Sequence, residues 1–457
     1  MNGNTFLVAG VCLLLFACGA GNGVPDKPTF NKHVAPLMFK HCTPCHREGG
    51  VAPFSLINYE QTKRKAKTIA KVTEKRYMPP WPADASYTHF VGENFLSDQE
   101  IAVFRRWYET GMTEGAAEDL PRYEPPTWRS QIGKPDMVLP LDSVRLFPNL
   151  KDRFFIIKIP GMLDRDTWVR AVEFVAGNQD LVHHFNGHLL LYKPGANRNL
   201  FQQPMKVEVS SGEYKTDFKV LNLFNNDGSI PERVHSAVNY LPGVLGTAYP
   251  AGLGTFRISR EFAFVGNDMH YGPADRLATD RSYLNLFFSN KPPSRPVAEI
   301  MLGTNGVSPI VPPLKIAPGK VQTHSTRFRI DKDISVLTIN PHLHLLGKSF
   351  LAYAIKPNGD TIRLIRISRW DFRWQYFYTF QKMVHIPAGS EIIAEAVFDN
   401  TDRNPNNPNQ PPKEVGERLD YGGASMRATD EMFQFIITYT LYQPGDENFS
   451  LEPDKSR

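Results

Sequence analysis

Two thiols and an imidazole fall within five residues at Cys42-Thr43-Pro44-Cys45-His46. C-x-x-C-H is the spacing of a c-type haem attachment site: the thiols add across the two vinyl groups of one porphyrin, and the next residue offers an imidazole to the iron. C-x-x-C alone also serves dithiol redox pairs and zinc sites, so the rest of the cysteine inventory decides. The chain has four cysteines. Cys12 and Cys18 lie in an apolar N-terminal run, which leaves no second pair to complete a zinc site. Cys42 and Cys45 are therefore expected to carry one covalent haem, with His46 as its proximal ligand.

A sixth ligand to that iron is expected downstream. Met78 in Arg76-Tyr77-Met78-Pro79-Pro80-Trp81-Pro82 is the choice, because the prolines fix an extended loop able to hold a thioether over a ring. The segment resembles small c-type cytochrome domains, which place an axial methionine beside proline in this way. Met38, Met112 and His89 are the alternatives. Methionine–histidine ligation raises the potential and suits electron transfer better than oxygen chemistry.

Four further clusters carry metal-ligand chemistry: His183-His184, His270 in Asn267-Asp268-Met269-His270-Tyr271-Gly272, His342-Leu343-His344, and Met432 at the head of the apolar run Phe433–Leu441. On a strand, H-x-H projects both imidazoles to one face, whereas adjacent histidines alternate faces. Imidazoles with a thioether suit copper better than zinc, since soft sulfur favours Cu(I). Five histidines and one methionine make two three-ligand sites with open positions. His188, just after the pair, is an alternative to one of its members.

In this order, and with Gly347-Lys348, Asn400-Thr401-Asp402-Arg403 and Gly422-Gly423 around them, the clusters resemble the copper type II, ascorbate-dependent monooxygenases over roughly Val138–Tyr442. The resemblance implies two jelly-roll-like sandwiches with one copper in each, facing across a solvent-filled cleft. His183, His184 and His270 would hold an electron-transfer copper. His342, His344 and Met432 would hold the catalytic copper that binds dioxygen, and a C–H bond of a small-molecule substrate would be hydroxylated. Phe433 stands where the family has a cysteine. Asn340 stands where its peptidylglycine members have an arginine, so a peptidyl-glycine substrate is not expected. A fused haem could supply the electrons that the family draws from ascorbate, from an ascorbate-like reductant or a periplasmic redox protein. The alternative reading is an electron-transfer cytochrome carrying a non-catalytic, ligand-binding sandwich module.

These residues need two kinds of scaffold. Helical patterning surrounds the haem motif, at Asn31–Lys40, Tyr59–Arg76 and Ser97–Gly111, where Ser97 and Glu100 read as a capping box. The basic run Lys63–Arg76 reads as a solvated face, with docking of an acidic partner as the alternative. From about Met137 the pattern turns to short strands divided by Pro, Gly and Asn, among them Phe154–Ile159, His188–Tyr192, Phe262–Val265, Tyr283–Phe288, Ile392–Phe398 and Phe433–Leu441. The 457 residues, 37 of them proline and 33 glycine, thus divide into a small all-α c-type cytochrome domain (28–115), a linker (116–136) and two all-β jelly-roll-like sandwiches (137–292 and 293–445), with a tail over 446–457. The linker is expected to let the haem domain dock near His183 and His184.

Phe6–Phe16 is too short to span a bilayer and reads as a signal-peptide core within 1–17. Leu15-Phe16-Ala17-Cys18 resembles a bacterial lipobox, so Cys18 is expected to be lipidated and followed by a tether to Lys27; an ordinary cleaved signal is the alternative. A periplasm-facing outer-membrane lipoprotein of a bacterial envelope results. The net charge of +5 is too weak to argue for nucleic acid.

Overall fold

The computed structural model describes residues 23–48, 50, 52–124, 130, 132–148, 153–209, 218–240, 249–250, 252–254, 256–289, 291–417 and 429–452. Cys12, the lipobox with Cys18, the first residues of the tether and the Gly422-Gly423 motif lie outside the described residues. The chain is mostly β, 39% strand against 13% helix, in several sheets. Among the described residues no helix is long and apolar enough to cross a membrane.

The N-terminal part holds a π-helical turn Phe30–Val34 running into the helix Ala35–His41, then the helices Tyr59–Glu74 and Asp98–Glu109. Their starts follow from local chemistry. Asn58 Oδ1 accepts from Gln61 N. Ser97 Oγ accepts from Glu100 N while the Glu100 carboxylate accepts from Ser97 N at 2.8 Å, a complete capping box. Gly111, at φ +94°, follows the last helix. Helix Tyr59–Glu74 buries Thr62, Ala66, Ile69, Ala70 and Thr73 at helical spacing. Every Lys and Arg from Lys63 to Arg76 is exposed, on the face opposite the buried residues. Phe30, Val34, Met38, Leu56, Ala66, Ile69, Leu96, Phe104 and Trp107 form one small core.

From Met137 onward the described residues build two pairs of larger antiparallel sheets, beside two small two-stranded ones. In the first pair, a five-stranded sheet runs in the order Lys206–Glu208, Arg153–Met162, Glu261–Tyr271, Val182–Tyr192, Glu232–Tyr240. A four-stranded sheet runs Met137–Pro140, Tyr283–Ser289, Thr167–Val175, Phe256–Ile258. Phe155, Ile157, Val169, Phe174, Phe185, Phe264, Leu284 and Leu286 interleave between them. In the second pair, Ala298–Gly303, Phe433–Leu441, Ile334–Leu343 and Tyr378–Ile386 oppose Ile310–Val311, Val321–Arg329, Glu391–Asp399, Gly347–Ile355 and Thr361–Ile367. The core between them includes Leu302, Val336, Leu343, Phe350, Ala394, Phe398, Phe433 and Phe435.

Two contacts fix the parts relative to one another. Arg295, between the sandwiches, pairs with Asp446 through both guanidinium Nη atoms and donates to the Leu441 carbonyl. The segment Tyr77–Val91 lies on the second sandwich: Val91 N donates to Thr379 O, Phe90 bridges to Phe380, and Asp84 pairs with Arg366. The contact rests chiefly on the strand Tyr378–Ile386. Trp81 and Phe90 of the segment pack on Tyr378 and Phe380 of that strand, an aromatic group that buries apolar surface from both sides.

Candidate metal centre

The strands Val182–Tyr192 and Glu261–Tyr271 are neighbours, and their register sets His184 opposite His270. A register shift between Val182 and His184 breaks the face alternation that would separate adjacent histidines. As a result Nδ1 of His184 lies 3.3 Å from Nδ1 of both His183 and His270. The nearest ligand atoms of the three imidazoles all fall within 4.8 Å of one another. Phe154 stacks on His270 at 4.3 Å between centroids and holds its plane. His188 pairs further along the strand with Val265 and is not part of this group.

Asp268, two residues before His270, was not assigned a role in the sequence. Its Oδ2 accepts from His184 Nε2 at 3.0 Å. Burial works to raise this carboxyl, but His184, His270 and His344 bring it below the usual carboxylate range. With the Nε2 proton held by Asp268, the lone pair of His184 sits on Nδ1, facing the other two rings.

The second cluster stands where the strand Ile334–Leu343 ends. His342 and His344 are edge to face, 5.1 Å apart. His342 pairs with Gln434 and Leu343 with Phe433, which brings Met432 level with His344. His344 Nδ1 donates to the Asp430 carbonyl at 3.0 Å, leaving Nε2 for a ligand. Glu431, fully buried, binds the two chain segments together: its carboxylate accepts from the backbone N–H groups of His344, Leu346 and Met432. Burial, then the neighbouring His344 and His184, lowers His342 to about 3, an effect that Gln375 partly offsets. Burial also lowers His344. Both rings are therefore neutral imidazoles, the form that ligates metal.

The two clusters are not separated by open solvent alone. Phe372 lies between them, its ring 6.5 Å from that of His183 and 5.5 Å from that of His344. The loop that carries Phe372 joins Thr361–Ile367 to Tyr378–Ile386, the strand against which Tyr77–Val91 docks.

In the haem motif, His46 Nδ1 donates to the Phe54 carbonyl at 3.1 Å, which directs Nε2 outward as a proximal ligand requires. Cys42 and Cys45 are free thiols; burial, then Cys45, pushes Cys42 up to about 12. Met78 is half-buried and its N–H donates to Val72 O. Among its rivals, Met38 is fully inside the helical core and His89 is engaged by Glu93. Cys45 also adds to the upward shift that burial gives Tyr240, in the first sandwich, and Tyr376, in the second. The motif thus stands close to both sandwiches.

The donor sets fit the groups inferred from sequence: three convergent imidazoles with one second nitrogen held by carboxylate, and an H-x-H pair beside a methionine. What these sites define is a mostly β protein in which three imidazoles converge closely enough to hold a metal ion. Residues 298–408, which include His342 and His344, match the family model "copper type II ascorbate-dependent monooxygenase, C-terminal domain". No curated protein matches the chain. Among solved structures, the VP2 subviral particle of infectious bursal disease virus aligns at 9% identity and TM-score 0.15, covering 72% of this chain and 86% of that one. PNGF-II in a C2 space group aligns at 12% and 0.18, covering 76% and 70%. Scores this low carry no argument about fold or function.

Proposed function

We propose that the protein is an exported, haem- and copper-dependent monooxygenase that hydroxylates a C–H bond of a small neutral or weakly polar molecule with O2. The observation that carries it is the convergence of the His183, His184 and His270 nitrogens opposite an H-x-H pair that lies inside the segment similar to the monooxygenase family. Copper bound at the two clusters would supply one-electron reduction and dioxygen activation. His183, His184 and His270 would hold one ion, and His342, His344 and Met432 the other. Asp268 keeps the ligand nitrogen of His184 unprotonated, and the Asp430 carbonyl does the same for His344 Nε2. Glu431 fixes the distance between His344 and the Met432 backbone. Cys42, Cys45, His46 and Met78 would hold a covalent haem that brings electrons from a donor in the cell envelope, with Cys18 as the lipid attachment point.

The test is haem and copper content of the mature protein, made in a host with cytochrome c maturation and loaded with Cu(II). One haem and two coppers, with one copper lost in Met432→Ala or His342→Ala, supports the reading. Haem without copper leaves an electron-transfer cytochrome with a ligand-binding module.

A further inference from the structure

Tyr77, adjacent to Met78, accepts a hydrogen bond at 2.6 Å from Arg373 Nη1, and the Arg373 guanidinium also lies 5.2 Å over the Tyr77 ring. Since guanidinium nitrogens carry no free lone pair, Arg373 is the donor and the Tyr77 oxygen the acceptor. Asp371 holds Arg373 from the other side, through Nε and Nη2. Between Asp371 and Arg373 stands Phe372, whose ring centroid lies 5.5 Å from that of His344 and 6.5 Å from that of His183. A path of bonded and neighbouring groups therefore runs from the Met78 loop to both histidine clusters, and it forks at a single phenyl ring.

We propose that Tyr77, Arg373 and Phe372 form the route by which electrons leave the haem and reach the coppers, with Phe372 as the branch point. The proposal rests on the haem and copper reading above. Each passage takes one electron from ferrous haem, leaves it ferric, and reduces one Cu(II) to Cu(I); no bond forms or breaks, and no proton moves. Two passages reduce both ions, so one haem can serve two one-electron acceptors. A rigid path suits this task because the docked segment is fixed by Phe90 and Asp84, and the Tyr77–Arg373 contact does not have to be found anew for each electron.

The experiment uses the full mature protein with measured haem and copper content. A substoichiometric one-electron reductant is mixed with the oxidised protein, and the decay of the ferrous haem band is followed in the stopped flow, without substrate. Protein lacking either metal group fails the underlying reading and is distinguished at that stage. In protein that holds both, the haem band should decay with a rate independent of protein concentration. Phe372→Leu, which keeps bulk but loses the ring, and Tyr77→Phe, which loses only the hydroxyl, should each slow that decay by an order of magnitude at full metal content and with an unchanged haem spectrum. Phe372→Tyr should restore the rate. If Phe372→Leu loses copper, Tyr77→Phe decides alone. Wild-type decay in a fully loaded Tyr77→Phe or Phe372→Leu protein overturns the proposal and points to passage by way of Tyr376, whose hydroxyl donates to the Pro80 carbonyl.

Discussion

Asp268 Oδ2 and His184 Nε2 meet at 3.0 Å, and this contact determines which imidazole nitrogen faces the other two rings of the first cluster. Without it, either tautomer of His184 is available, and the Nδ1–H form presents a proton where a lone pair is needed.

Asp268→Asn should therefore weaken metal binding at the first cluster by about 10- to 100-fold, the usual effect of losing a partner that orients a ligand. Binding at His342 and His344 should be unchanged. Competition of Cu(II)-loaded protein against a chelator resolves the two sites. Equal weakening of both would sink the assignment of Asp268 to the first cluster.

Glu431 accepts three backbone N–H groups with no solvent exposure. Glu431→Ala strands these donors in the core, and the cost should be about 3–5 kcal/mol in denaturant unfolding. Glu431→Gln keeps an acceptor oxygen and should lose distinctly less. Similar losses in the two variants would mean that side-chain volume, not hydrogen bonding, is what matters there.

Phe90 is 1% exposed and packs within the second sandwich's core, whereas the Asp84–Arg366 pair is partly open to solvent. Burial should dominate. Phe90→Ala is expected to cost about 3–5 kcal/mol, against at most about 1 kcal/mol for Arg366→Gln. Calorimetry should also show the helical part melting separately in Phe90→Ala but not in Arg366→Gln.

Asp446 provides a pH signature. Burial works against its ionisation, but Arg295 and Ser335 hold it down to about 2. A depressed carboxyl contributes stability that is present above its unfolded value and lost as pH falls through the folded one. The difference corresponds to about 2 kcal/mol. Asp446→Asn should be less stable than wild type near neutrality, and the gap should close as pH falls from the ordinary carboxylate range toward about 2. A gap independent of pH would remove the charge from the explanation.

The helix signals were legible because they are local: Ser97 and Glu100 announce a capping box three residues apart, and the structure makes both bonds. The strand Phe433–Leu441 was legible from end to end, since it is bounded by Met432 and by the polar turn after Leu441. The strand read as His188–Tyr192 in fact starts at Val182. Its first half, with two histidines, Asn186 and Gly187, lacks alternation because it carries two register shifts. The histidines themselves stood out by type and spacing. Phe372 did not, because nothing in Trp370-Asp371-Phe372-Arg373-Trp374 marks a ring that two sandwiches share; its position follows from topology. Asp268 likewise became meaningful only once pairing set its strand beside His184. The docking of Tyr77–Val91 was hidden for a similar reason. Its prolines and aromatics read equally well as a ligand loop, and the surface they cover is nearly 300 residues away in sequence, as the Tyr77–Arg373 separation of 296 illustrates.

Arg295 ties its own segment to two others. Its backbone exchanges hydrogen bonds with Gly252 and Gly254, in the connection between the first-sandwich strands Glu232–Tyr240 and Phe256–Ile258, and its guanidinium is held by Asp446 and the Leu441 carbonyl of the second. A connector fastened at both ends in this way leaves the two halves little freedom to swing. The span across which His183 and His344 view Phe372 is then dictated by covalent chain and ion pair before any cofactor arrives, as the jaws of a gauge are set before the workpiece is inserted.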